Sequence, residues 1–134
     1  MNITARQART LIEAAEAKAT AIGTPVNIVV LDAGGHLKAF SRMDGVFLAA
    51  TDVAMQKAKT AVLLEMNSEC VWDYCKPGGP AEGLQSTNGG LVTFAGGIPL
   101  KAPDGRMMGA IGVSGGTVSQ DLDIAKTALD AFVC

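Results

Sequence analysis

The sequence predicts an α+β domain: a five-stranded mixed or antiparallel sheet flanked by helices, in the order helix-strand-strand-helix-helix-strand-strand-strand-helix. Three observations lead there. Apolar residues recur at helical spacing at both ends and in the middle of the chain. Short β-rich runs come in neighbouring pairs joined by turn residues, which favours antiparallel hairpins over βαβ crossovers. Two apolar strand cores lie between glycines: Gly89-Gly90 through Gly96-Gly97, and Gly109 through Gly115-Gly116. Glycine costs entropy in a strand and packs nothing, so these pairs mark tight bends or backbone closely approached by a ligand, a strand or a subunit.

The first helix is expected over Ala5–Ala21. Thr4 and Gln7 form a capping-box signature, and Ala8, Leu11, Ile12, Ala15, Ala19 and Ile22 form its buried stripe. Gly23 and Pro25 end it. Val26–Leu31 is nearly continuous in apolar residues and reads as a covered central strand. Asp32-Ala33-Gly34-Gly35 turns the chain into a second strand, His36–Arg42. Leu48–Glu65 is an alanine-rich helix able to pack closely. Asn67 or Ser68 begins a short helix through Tyr74, which Pro77-Gly78-Gly79-Pro80 ends. After a polar loop over 81–88 come three strands: Leu91–Phe94, Ile98–Leu100 and Arg106–Ser114, the last two joined by a turn at Ala102-Pro103-Asp104-Gly105. Thr117 and Gln120 form a second capping box ahead of a helix over Val118–Phe132, with Val118, Leu122, Ala125, Leu129 and Phe132 on one face.

The 134 residues are expected to form a single domain, 1–134. Apolar residues make up 49% of the chain but aromatics only 4%, so alanine and valine must build the core through close backbone packing. The formal charge of -2, without a basic cluster, argues against nucleic acid. Neither a signal-peptide pattern nor an 18-residue apolar run is visible, so no membrane partner is expected. The odd cysteine count (Cys70, Cys75 and Cys134) fits a reducing cytoplasm, and the spacing offers no metal site.

The chain resembles the GlcG/HbpS-like (DUF336) family, a domain also found as the C-terminal part of some corrinoid adenosyltransferase proteins. The resemblance covers nearly the whole chain. It rests on Val30-Leu31-Asp32-Ala33-Gly34-Gly35-His36-Leu37, Arg42-Met43-Asp44-Gly45, Lys57-Ala58-Lys59-Thr60-Ala61, Pro77-Gly78-Gly79-Pro80, Asn88-Gly89-Gly90, and Gly109 through Gly116. It implies a five-stranded sheet and assembly as a dimer or higher homo-oligomer. It also implies diverse roles: haem binding, accessory functions beside catabolic pathways, or action on small organic substrates. Haem or cobalamin are the cofactors it suggests. Relatives that hold haem through an imidazole place it on the first helix, which here has no histidine.

Several residues carry candidate chemistry. His36, the only histidine, is either an exposed turn residue or a ligand-binding or catalytic group, since imidazole is the side chain whose ordinary pKa lies nearest neutrality. Arg42 pairs with Asp44 or forks onto a carboxylate or phosphate. Glu82, in the polar loop, is the candidate general acid or base. Lys57, at the edge of a buried stripe, snorkels or places an ammonium in a pocket. Asn88, Gly89 and Gly90, with Gly115, Gly116 and Thr117 at the start of the last helix, offer backbone for a small ligand. The alternative there is that Thr117 and Gln120 satisfy the helix end themselves. The leading functional expectation is an oligomeric small-molecule or cofactor-binding accessory protein for catabolism of small oxygenated metabolites. An isomerase- or lyase-type enzyme using Glu82, Arg42 and His36, and a haem- or corrinoid-binding accessory or sensor domain, are the alternatives.

Overall fold

The computed structural model describes residues 2–132. Helix α1 (Ala5–Ala21) leads into strands β1 (Asn27–Asp32) and β2 (Leu37–Arg42), then helix α2 (Ala49–Leu64). A 3-10 turn over Ser68–Val71 runs into the short helix α3 (Trp72–Cys75). A loop with a second 3-10 turn precedes strands β3 (Gly97–Lys101) and β4 (Met107–Ser114), and helix α4 (Val118–Asp130) closes the chain.

Both capping boxes form. Gln7 N donates to Thr4 Oγ1 at 3.1 Å while Thr4 N donates to Gln7 Oε1 at 2.9 Å, and Thr117 and Gln120 repeat the exchange. Asn67 does not cap the turn that follows it; its amide donates to Glu69 Oε1 instead.

The sheet has four strands, all antiparallel, in the order β2-β1-β4-β3. The expected fifth strand, Leu91–Phe94, does not form. Positive φ at Asn88, Gly89 and Gly90 bends the approach to it, and its polar groups find partners off the ladder. Leu91 N donates to Gln85 O, and Phe94 O accepts from Ser68 Oγ at 2.7 Å. The same hydroxyl then takes Gly97 N at 2.9 Å, so pairing starts only there. One buried serine thus replaces a stretch of ladder, which apolar patterning does not reveal.

Period-two alternation splits the sheet between two cores. Ile28, Val30, Ile111 and Val113 face α1 and α4, while Val29, Leu31 and Ala110 face α2. Covering both faces explains the unbroken apolar run of β1. Helix α2 lies very close to the sheet through Ala54, Ala58 and Ala61. A Cβ on Gly112 would stand 2.2 Å from Ala54 O, and one on Gly97 would stand 2.2 Å from Lys57 O. At these two strand glycines the space of a side chain is therefore taken by helix backbone. On α4 the buried face runs through Asp121, Ile124, Ala125 and Ala128. Val118, expected on that face, is 47% exposed.

Candidate functional site

Lys57 is the largest fully buried side chain among the described residues. Alanines at 54, 58 and 61 bring α2 down onto the sheet, and Lys57 enters the layer with them. Its Nζ donates to Asp121 Oδ2 at 2.8 Å and to Val113 O at 2.9 Å. The ring of Phe94 covers the ammonium with its centroid 5.1 Å away, a cation–π arrangement. A Cβ on Gly96 would lie 2.8 Å from Nζ, so that glycine gives the ammonium its room.

Asp121 sits in the first turn of α4, and its Oδ1 accepts from Gly116 N at 2.9 Å. Burial pushes the Asp121 carboxyl above its ordinary range, against the Lys57 ammonium and the amides of Gly116 and Gly115, which favour the charged form. Burial likewise pushes Lys57 down, opposed by Asp121. Removal from water disfavours both charges, and their mutual contact offsets part of that cost.

Phe94 belongs to two settings: its ring lies over the Lys57 ammonium, and the residue lines a cleft of about 390 Å³ with Glu69, Trp72, Thr93, Ala95 and Val118. Trp72, Phe94 and Val118 are each nearly half exposed. The lining is mostly apolar, with Glu69 and Thr93 as its polar residues, as small-molecule sites commonly are.

The sequence-predicted residues fall in several places. Lys57, Gly115, Gly116 and Thr117 gather around Asp121. The amides at the head of α4 are partnered: Gly116 by Asp121, Thr117 by Gln120 Oε1, and Gln120 by Thr117 Oγ1. Asn88 and Gly90 offer their carbonyls to Lys59 Nζ. Because Lys57 and Lys59 leave α2 about 200° apart, the Asn88–Gly90 segment and the Gly115–Thr117 bend are fastened to opposite sides of that helix. His36 is exposed at the β1–β2 turn, its Nδ1 3.4 Å from Asp32 Oδ1. Arg42 is exposed at the far end of β2 and forms no ion pair with Asp44 among the described residues. Six residues of strand separate it from His36, about 20 Å. Glu82 is exposed and accepts from Gly78 N at 3.3 Å, so the partly buried setting expected for it is absent. Among the described residues no His, Cys, Asp and Glu side chains cluster as metal ligands. Cys70 and Cys75 are free thiols, and Cys134 lies outside the described residues.

Asp121, Phe94 and Glu69 escaped the sequence reading. Asp121 had one available signal, a charge at a position helically in phase with the buried Ile124, Ala125 and Ala128. Phe94 was assigned to a strand core.

A doubly covered four-stranded antiparallel sheet with a glycine-lined, closely packed α2 defines a small α+β domain, and the chain belongs to the HbpS-like family. The family model, described as haem degrading protein HbpS-like, matches residues 3–130. The chain is 43% identical over 131 residues to an uncharacterized 15.0 kDa protein of the dhaT-dhaS intergenic region of Citrobacter freundii, covering 97% of this chain and 92% of that one. It is 36% identical over 133 residues to the corrinoid adenosyltransferase PduO of the same organism, covering 98% of this chain but only 39% of that longer protein. The crystal structure of a PduOC:haem complex superposes with a TM-score of 0.92 at 36% identity, covering 98% of this chain and 95% of that one. The family is the one that the sequence motifs suggested; its sheet in this chain has four strands.

Haem does not match the ligands offered by the cleft. Its lining residues are Glu69, Trp72, Thr93, Phe94, Ala95 and Val118, which bring no imidazole, thiolate or phenolate to an iron. His36 stands at the hairpin turn instead.

Proposed function

We propose that this protein is an accessory protein that binds a small molecule, and that the Trp72–Phe94–Val118 cleft is where it does so. The observation that carries this reading is the cleft itself: three half-exposed apolar side chains, with Glu69, Thr93 and Ala95 completing the lining, beside a buried ion pair. Rigid walls lower the ordering cost of binding. In this reading the Gly115–Thr117 bend holds Asp121, Asp121 holds Lys57, and Lys57 backs the ring that the ligand touches. Relatedness to the corrinoid adenosyltransferase PduO and to a haem-complexed PduOC supports a cofactor or metabolite as the ligand class. A role in catabolism of small oxygenated metabolites is part of the same proposal.

Assembly as a homo-oligomer belongs to this proposal too. Its support is a set of exposed apolar side chains on and after the edge strand β2: Leu37, Phe40, Phe47 and Leu48. The enzyme alternative through Glu82, Arg42 and His36 is less well supported, because His36 and Arg42 stand at opposite ends of one strand.

A thermal-shift screen of the purified protein against haem, cobalamins, glycolate, glycerol-derived aldehydes and aromatic acids and alcohols tests the binding reading. A ligand that binds only the folded state raises Tm. A stabilising compound whose effect disappears in Trp72→Ala supports the cleft. Binding that persists unchanged in Trp72→Ala and Phe94→Ala places the ligand elsewhere and overturns this assignment.

A further inference from the structure

The lining of the cleft comes from separate parts of the chain. Glu69 and Trp72 belong to the 3-10 turn Ser68–Val71 and to α3, while Thr93, Phe94 and Ala95 lie on the segment ahead of β3. That second segment has little backbone support of its own. Among the described residues, 92–95 make one hydrogen bond: Phe94 O accepts from Ser68 Oγ at 2.7 Å. The ring contact with Lys57 is the other tie of Phe94. Ser68 is fully buried and directly precedes Glu69. Its hydroxyl also accepts from Gly97 N at 2.9 Å, so it serves the Phe94 segment both as donor and as acceptor. Gly97 permits the approach: a Cβ there would stand 3.1 Å from Ser68 Oγ. Alanine at 68 would take this partner from a buried N–H and from a carbonyl, groups that are normally paired.

We infer that Ser68 is a positioning residue of the cleft: without touching the ligand, its hydroxyl fixes the segment that carries Phe94 to the turn that leads to Trp72, and so sets the shape of molecule that the cleft admits. The inference rests on the cleft being the binding site, as argued above. One hydrogen bond can do this because the neighbouring backbone anchors lie outside the segment, at Leu91 N and Gly96 O. Without the hydroxyl, the main chain between those anchors is free to shift. A loosened lining yields to a bulky ligand. It costs a flat one its pre-formed contact surface, since part of the binding energy then goes into ordering the segment. The expected signature is a change in selectivity, distinct from a loss of stability.

Benzyl alcohol and adamantanemethanol carry the same hydroxymethyl group on a flat ring and on a cage. Titration of the full chain with each, followed by amide shifts of residues 69–72, 93–95 and 118, gives the ratio of their dissociation constants. Ser68→Ala is expected to move that ratio about fivefold or more in favour of the cage, the size that the net contribution of one hydrogen bond corresponds to. Ser68→Thr, which keeps the hydroxyl, should hold the wild-type ratio. Ser68→Cys keeps the shape but bonds weakly through sulfur, so it should follow Ser68→Ala, and it decides the matter should the alanine variant not fold. Ile124→Val, destabilised in the core between α1, α4 and the sheet, should leave the ratio unchanged. Trp72 is the only tryptophan, so acrylamide quenching of its fluorescence reads the loosening without a ligand. Quenching should rise in Ser68→Ala and Ser68→Cys and stay at the wild-type level in Ile124→Val. A ratio that Ser68→Ala and Ser68→Cys leave unchanged overturns the inference while leaving the cleft as a site. So does a change that Ile124→Val reproduces. If neither alcohol perturbs those amides in the wild-type protein, the cleft is not a binding site, and the reading beneath falls with the inference.

Discussion

The Lys57 ammonium and the Asp121 carboxylate meet at 2.8 Å across 64 residues of sequence, both nearly inaccessible to solvent. The contact ties the middle helix to the head of the last one at the C-terminal end of β4, whose Val113 carbonyl shares the ammonium. Removing either partner strands the other in the interior. Lys57→Met is expected to cost about 3–5 kcal/mol, because it leaves an uncompensated buried carboxylate. Lys57→Met combined with Asp121→Asn should recover part of that loss, since the pair becomes neutral and an acceptor for Gly116 N remains. Urea unfolding of the two single variants and the double variant measures this. A double-variant loss equal to the sum of the single losses would show that the two residues are not coupled.

Phe94 is the cover on this pair. Phe94→Ala should cost about 1–2 kcal/mol through lost ring burial and the lost cation–π contact, and should open Nζ to the cleft. Lys57 is then expected to change from the least to one of the more readily acetylated lysines under an amine-reactive reagent, read by peptide mass spectrometry. Continued protection of Lys57 in this variant would mean that other groups shield it.

The close seat of α2 predicts contrasting glycine substitutions. Gly112→Ala drives a Cβ against Ala54 O and Ala58 N and should destabilise by about 3 kcal/mol or more, the upper range of overpacking. Gly105→Ala meets nothing within 4 Å and suffers only from its φ of +87°, a backbone cost of about 1–2 kcal/mol. Chemical denaturation of the two variants checks the order.

Asp32 contributes acid sensitivity. Its carboxylate accepts from the amides of His36 and Gly34, which hold its pKa below the ordinary 3.8. A carboxyl depressed in the folded state contributes stability above its unfolded pKa and loses it as pH falls through the folded value. Asp32→Asn, which retains the turn acceptor without the charge, should therefore be less stable than the wild-type protein near neutrality. The gap should close below pH 3.8, shown by stability measured from pH 2 to 7. A gap independent of pH would assign the effect to turn geometry alone.

The proposed assembly places the apolar residues around β2 at a subunit contact. Leu48, 87% exposed, is the most prominent of them. Leu48→Asp with Phe40→Lys should lower the mass found by static light scattering at micromolar concentration without lowering Tm in proportion. A wild-type monomer at that concentration would remove the assembly proposal.

What the sequence determined by itself is what local chemistry encodes. Thr4 with Gln7, and Thr117 with Gln120, set the two helix starts, because donor and acceptor lie one turn apart. The apolar run of β1 announced a strand covered on both faces, and the glycine-punctuated segments carried the family. Tertiary structure decided the rest. Leu91–Phe94 has the composition of a strand, yet Ser68 takes the hydrogen bonds at its end. Lys57 at the edge of an alanine stripe resembles a snorkelling lysine until Asp121 arrives from the other end of the chain. Val118 leaves the face of its helix to line a cleft with Phe94 and Trp72. Periodicity reports which side of an element is apolar within a few residues. It carries no information about which distant group will satisfy a charge or an amide once water has been excluded, and in this protein those distant partners form the candidate site.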